Sequence, residues 1–189
     1  MMWTLPNILT MGRIVVLPLM FACFYLEGGE GAMSVWVCFG LYVLAALTDF
    51  FDGYFARKLN QISAFGTFLD PISDKIFVGC LLVLLVAFGR LEDLWIIPVL
   101  VILFREFLVS GLREFLGPHN VKLPVTQLAK WKTTLQMVAL GVLILAPVVP
   151  YTLLIGQISL AGAAILTVVT GWGYMKTGWN FMKTADRQK

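Results

Sequence analysis

The feature that constrains this chain most is a series of long apolar segments, each close to the length of a membrane-crossing helix. About twenty mostly apolar residues cross a bilayer as a helix. Six segments qualify, at about 5–26, 33–57, 67–89, 93–115, 132–149 and 152–175. Of the 189 residues 59% are hydrophobic and only 13% are charged, whereas soluble domains have about 25% charged residues. The sequence therefore predicts an all-α integral membrane protein: one domain over residues 1–189, with six transmembrane helices in a compact bundle.

The distribution of lysine and arginine predicts the orientation of this bundle. Six spans place both termini on one face, and the three loops on the opposite face contain a single basic residue, Arg90. The remaining basic residues lie on the face of the termini or at helix ends that lead to it. Because positively charged loops stay in the cytoplasm, both termini are predicted to be cytoplasmic.

Four aspartates lie at the predicted cytoplasmic ends of the second and third spans. Asp49 and Asp52 are one helical turn apart, as are Asp70 and Asp74, so each pair shares a helix face. Four converging carboxylates repel one another unless a cation lies between them, and all-oxygen ligands suit Mg²⁺, Mn²⁺ or Ca²⁺. Four carboxylates are enough for two ions, which could clamp the attacking and departing oxygens of a phosphoryl displacement. The simpler alternative is helix capping at the headgroup level, which would suit Asp70 but not two regularly spaced pairs.

The aspartates belong to a longer pattern that resembles the signature of the CDP-alcohol phosphatidyltransferases. All eight positions are present at the expected spacings: Asp49, Asp52, Gly53, Ala56, Arg57, Gly66, Asp70 and Asp74. Enzymes of this family use a divalent metal to join an alcohol to a CDP-linked lipid, with release of CMP. The resemblance extends over the whole chain, so the expected active site lies at the cytoplasmic end of the bundle.

The resemblance implies a role for each motif position. The four aspartates would ligate Mg²⁺ or Mn²⁺, as two ions, and Asp74 would also be the catalytic general base. The implied reaction is a direct in-line displacement at phosphorus without a covalent enzyme intermediate. Binding of the donor, CDP-diacylglycerol, would involve Asn7, Thr10, Asp49, Gly53, Ala56, Arg57 and Gly66.

A second basic set is the candidate for binding the acceptor alcohol. Arg105 and Arg113 lie two turns apart, and Lys130 and Lys132 open the fifth span. Four cations favour an acceptor that carries its own phosphate, although basic helix ends also follow from the positive-inside rule. Glu106 could also merely pair with Arg113.

The segments "LPNILTMGR", "SGLRE" and "KWKTTLQM" resemble bacterial members of the family that use sn-glycerol 3-phosphate. This resemblance implies phosphatidylglycerophosphate and CMP as products, and the bacterial cytoplasmic (inner) membrane as the location. Inositol phosphate, serine and other lipids remain possible acceptors.

Two other classes of protein use acidic motifs in membranes. Membrane prenyltransferases bind diphosphates through aspartates and Mg²⁺, but they lack the Gly-x2-Ala-Arg and Gly-x3-Asp elements. A divalent-cation transporter would place acids at mid-membrane and along its route, whereas here they lie at one end. The expected partners are the two substrates, membrane lipids and a second copy of the chain in a homodimer, with no nucleic acid.

Overall fold

The structure is a computed structural model that describes residues 5–58, 64–119, 121 and 126–186. Within these ranges, the side chains at 5–6, 27, 50–58, 64 and 185–186 lie outside the description. The regular elements of the described residues are all helical, and they include six α-helices. Their bounds are α1 Leu5–Tyr25, α2 Ala32–Lys58, α3 Ala64–Ala87, α4 Ile96–Leu116, α5 Gln127–Ile144 and α6 Thr152–Asp186. Short 3-10 helices cover Leu26–Gly29, Asp93–Trp95 and Gly117–His119. The predicted all-α fold class is confirmed.

Four stretches of the described chain are long and apolar enough to cross a membrane: Asn7–Tyr25, Ala32–Asp49, Asp93–His119 and Thr152–Thr184. Helix α3 has 24 residues, but any 18 consecutive residues of it include Asp70, Asp74 and Lys75. Helix α5 has 18 residues, and two lysines and several other polar residues fall in its first half. The two helices that do not qualify, α3 and α5, both carry charged predicted site residues close to their starts.

Large apolar side chains are exposed along the helices that qualify. Val15 is 64% exposed, Phe104 69% and Ile165 66%. A soluble protein rarely exposes apolar side chains in such numbers, whereas hydrocarbon solvates them. This surface is that of a protein embedded in lipid.

Two of the predicted helix ends are wrong. Helix α5 ends at Ile144 rather than near residue 149, because Pro147 lacks an N–H and disfavours helical geometry at the residue before it. Turns follow the end of α5 up to Tyr151. Helix α6 continues to Asp186 rather than ending near 175, since no proline interrupts the segment "MKTGWNFMKTAD".

The chain divides into two compact units, and the first comprises residues 1–91 and 140–154. Within it, α1 packs against both α2 and α3. The rings of Tyr42 and Phe77 stack with centroids 5.9 Å apart. Gly141 lies so close to Tyr42 that an added Cβ would be 2.9 Å from the ring. The buried interior of this unit includes Met20, Leu81 and Leu85.

The second unit comprises residues 92–139 and 155–189. Its interior includes Val109, Leu112, Leu116 and Tyr174. Gly178 of α6 faces Leu112 of α4 at a distance that leaves no room for a Cβ, which would approach a leucine methyl carbon to 2.5 Å. The glycine is therefore what lets α4 and α6 approach each other here.

Candidate active site

One face of α1 is polar although it is buried. Asn7, Thr10 and Arg13 follow one another at intervals of three, which places them on the same side of the helix. Their exposed fractions are 2%, 1% and 3%. Buried polar groups require hydrogen-bond partners, and the partners of two of them are aspartates of the signature.

Arg13 lies between the two helices that carry those aspartates. Its Nη2 is 2.5 Å from Oδ1 of Asp49 on α2, and its Nη1 donates to Oδ1 of Asp74 on α3. One turn earlier on α1, the hydroxyl of Thr10 donates to Oδ1 of Asp70 at 2.7 Å. The face of α1 thus contacts three signature aspartates, and two of them share a single guanidinium.

The carboxylates form the open side of this arrangement and the arginine its buried side. The side chains of Asp49 and Asp74 are 51% and 55% exposed, against 3% for Arg13. Asp70 is exposed as well. Solvent-facing oxygens above a buried cation leave room for further ligands on the open side.

The remaining signature residues are described only in part. The side chains of Asp52, Gly53, Ala56 and Arg57 lie outside the described residues, although the backbone of α2 is helical through Lys58. Helical spacing therefore places Asp52 one turn beyond Asp49 on the same face. Gly66 is buried in the first turn of α3.

The donor set fits a hard divalent cation. Oxygen atoms of Asp49 and Asp74 come from two helices to one cationic group, with the carboxylate of Asp70 one turn from Asp74. Carboxylate oxygens are what Mg²⁺ and Mn²⁺ prefer. Among the side chains that the structure describes, which exclude Asp52, no three Asp, Glu, His or Cys are grouped closely enough to hold an ion. The structure thus does not bring Asp49, Asp70 and Asp74 together as three ligands of one ion, and these carboxylates, with Asp52 at its helical position, are the oxygen donors available to one.

The predicted acceptor cations lie in the second unit, and an acid that the predicted site did not include connects two of them. Glu106 accepts from Arg105 at 3.1 Å and also pairs with Lys132 of α5. The side chains of Arg105 and Lys132 are 12% and 5% exposed. Glu106 thus holds the two cations in fixed positions, and this pairing replaces the alternative contact with Arg113.

Two arginines of α4 lie against the ring of Tyr174 on α6. The guanidinium carbons of Arg105 and Arg113 are 5.5 and 5.7 Å from its ring centroid, within the range of cation–π attraction. Arg113 and Lys130 are both exposed. Three of the four predicted cations are therefore linked through Glu106 or Tyr174.

Sequence reasoning missed Arg13, Glu106 and Tyr174 as site residues. Arg13 had a signal, because it continues the i, i+3 spacing of Asn7 and Thr10 within an otherwise apolar helix. Glu106 adjoins Arg105 in sequence, but its other partner, Lys132, lies 26 residues further along the chain. Tyr174 lies in an apolar segment and had no such signal.

Comparison with known proteins agrees with the signature. Residues 3–169 match a protein-family model described as CDP-alcohol phosphatidyltransferase. A protein of Rickettsia bellii, called CDP-diacylglycerol–glycerol-3-phosphate 3-phosphatidyltransferase, is 48% identical over 175 residues, 91% of this chain and 93% of the relative. A relative with the same name in Rickettsia typhi is 47% identical, over 93% of this chain and 97% of the relative. Another in Cereibacter sphaeroides is 49% identical, over 77% of this chain and 65% of the relative.

Members of the matched family are generally dependent on a divalent cation. The match covers most of the chain, and the relatives are similar over nearly their full length in two of the three cases. The resemblance seen in the eight-residue signature is thereby confirmed. The chain belongs to the CDP-alcohol phosphatidyltransferase family.

Proposed function

We propose that this protein transfers the phosphatidyl group of CDP-diacylglycerol to sn-glycerol 3-phosphate, giving phosphatidylglycerophosphate and CMP. The observation that carries the proposal is the convergence of Asp49 and Asp74 from two helices on one site. It occurs in a chain 47–48% identical, over 91–93% of its length, to proteins named for this reaction.

The donor site is built on the carboxylates of α2 and α3. Asp49, Asp52, Asp70 and Asp74 would hold two Mg²⁺ or Mn²⁺ ions, which would neutralise the charge of the diphosphate. The hydrogen bond from buried Thr10 to Asp70 supports a role for the polar face of α1. The donor contacts are assigned to Asn7, Thr10, Asp49, Gly53, Ala56, Arg57 and Gly66.

Asp74 is the general base in this mechanism. It accepts the proton of the acceptor's hydroxyl while that oxygen forms a bond to the phosphorus of the phosphatidyl group. The bond between this phosphorus and the oxygen of CMP breaks, and CMP leaves with the electron pair. The contact with Arg13 fixes the orientation of the Asp74 carboxylate, and its half-exposed position leaves the carboxylate accessible to a hydroxyl.

The acceptor's phosphate binds to Arg105, Arg113, Lys130 and Lys132. Arg105 and Lys132 contact Glu106, and Arg113 contacts Tyr174. The single negative charge of Glu106 therefore balances only one of these three positive charges. The excess of about two positive charges matches a phosphate dianion. Arginine provides paired donors for this group and lysine a point charge.

The six helices cross the bacterial inner membrane, with both termini and the aspartates on the cytoplasmic side. The bias of lysine and arginine supports this orientation. Residues 1–189 act as one catalytic domain and associate as a homodimer.

The test is release of CMP by purified protein in detergent supplied with CDP-diacylglycerol. We expect release with sn-glycerol 3-phosphate and Mg²⁺ or Mn²⁺, and none after chelation. Inositol phosphate and serine serve as competing acceptors, and preference for either would reassign the acceptor. No release with any alcohol would refute the enzyme assignment, and uptake of ⁵⁴Mn²⁺ by proteoliposomes without lipid donor would favour a transporter.

A further inference from the structure

We propose that Arg13 is a built-in counterion of the metal site, one that competes with the metal ion for Asp49 and Asp74. The inference rests on the proposed function, because it takes these aspartates as metal ligands. It assigns a role to a residue outside the eight-position signature. The role is that of a positioning residue, since Arg13 acts through the two carboxylates.

The contacts of Arg13 are those that such a role requires. Its two terminal nitrogens reach different helices, Nη2 to Oδ1 of Asp49 at 2.5 Å and Nη1 to Oδ1 of Asp74. The guanidinium thus neutralises part of the negative charge that would attract a metal ion, while the half-exposed carboxylates stay open to one. With 3% of its side chain exposed, Arg13 is fixed beneath the carboxylates rather than free in solvent.

The charges predict how the competition proceeds. A dication that binds Asp49 and Asp74 from their open side is repelled by the guanidinium and draws the carboxylates' charge away from it. The guanidinium then needs further negative charge nearby, because a buried cation that is incompletely paired is costly. A diphosphate bound to the metal supplies that charge, so metal and nucleotide should each strengthen the binding of the other.

The test measures Mn²⁺ binding to purified protein by the electron paramagnetic resonance signal of free Mn²⁺, which needs no turnover. Replacement by Arg13→Gln removes the competing charge. Its Kd for Mn²⁺ should fall by roughly five- to tenfold relative to the natural protein, the equivalent of losing one or two partly exposed ion pairs. Arg13→Lys keeps one charge but loses the paired donors, so its Kd should lie between the two.

Arg90 provides a matched control. It is also a buried arginine of the first unit, 8% exposed, but it lies beyond the far end of α3 and donates to the carbonyl of Gly29 at 2.6 Å. Arg90→Gln should leave the Kd for Mn²⁺ unchanged. Elution of each variant as a single species in gel filtration establishes that it is folded. If Arg13→Gln does not fold, the Kd of Arg13→Lys for Mn²⁺ tests the counterion role instead.

The outcomes separate this inference from the function on which it rests. If the natural protein binds no Mn²⁺, the metal site of the proposed function is refuted. If it binds Mn²⁺ but the Arg13 variants bind equally or more weakly, the counterion role is refuted while the metal site stands. After correction for Mn²⁺ bound by free CDP, addition of CDP should tighten Mn²⁺ binding more in the natural protein than in Arg13→Gln. Equal tightening would contradict the coupling.

Discussion

Replacement of Glu106 by glutamine should expose how strongly the cations of the second unit depend on a single acid. The change keeps the size of the side chain and removes its charge. Arg105 and Lys132, 12% and 5% exposed, then lose the carboxylate that they share. We expect a clear loss of stability that the acceptor substrate partly restores.

The magnitude follows from the burial of the three groups. Removing one partner of a buried ion pair costs about 3–5 kcal/mol, and the 20% exposure of Glu106 reduces this to about 2–3 kcal/mol through solvent screening. For a chain of this size each kcal/mol lowers the midpoint of thermal unfolding by about 2–4 °C. The expected decrease in Tm is therefore about 4–12 °C.

The assay is thermal unfolding in detergent with and without saturating sn-glycerol 3-phosphate. Because a phosphate can replace the lost carboxylate as partner of the two cations, the substrate should raise the Tm of Glu106→Gln more than that of the natural protein. Glu114→Gln is the control, since Glu114 is exposed on the same helix. A Tm of Glu106→Gln equal to that of Glu114→Gln would refute the ion-pair reasoning, and equal substrate effects would refute the role in acceptor binding.

Three further outcomes are expected. Asp74→Asn should keep its fold and most of its CDP binding but lower kcat by about 10²–10⁴-fold; near-normal turnover, measured as CMP release, would show that another group is the base. Gly178→Ala should lower the Tm, because its Cβ would meet Leu112 at 2.5 Å and overpacking costs about 1–3 kcal/mol. Gly173 lies on the same helix with open space around it, so Gly173→Ala should leave the Tm unchanged. Equal Tm values for the two variants would contradict this packing. Chelation by EDTA should abolish CMP release reversibly, and recovery on addition of Mg²⁺ or Mn²⁺ but not of Na⁺ would identify the requirement as divalent; full activity in EDTA would argue against any metal.

The helical fold and the pairing of the aspartates on helix faces could be predicted because both depend on local periodicity. Apolar segments of about twenty residues predicted six helices, and all six are present among the described residues. The one-turn spacing of Asp70 and Asp74 likewise follows from the helix repeat.

Contacts between distant parts of the chain could not be predicted in this way. Arg13 and Asp74, which form a hydrogen bond, are 61 residues apart in sequence. The local sequence around either residue does not predict which residue it will contact. The end of α5 was misplaced for a different reason, because hydropathy treats "LAPVV" as apolar and does not register that Pro147 stops the helix.

The length of α6 has a consequence for how the protein sits in bilayers of different thickness. Its 35 residues extend about 52 Å at 1.5 Å per residue, whereas a hydrocarbon core is about 30 Å thick. About four turns therefore extend beyond the acyl chains, and there the ammonium of Lys183 lies 5.5 Å from the centroid of the Trp179 ring. Aromatic and cationic side chains of this kind anchor a helix at the interface. Because the extension also carries Lys176 and Asn180, its burial in hydrocarbon would be costly, so a thicker membrane should thin around α6 rather than cover more of the helix.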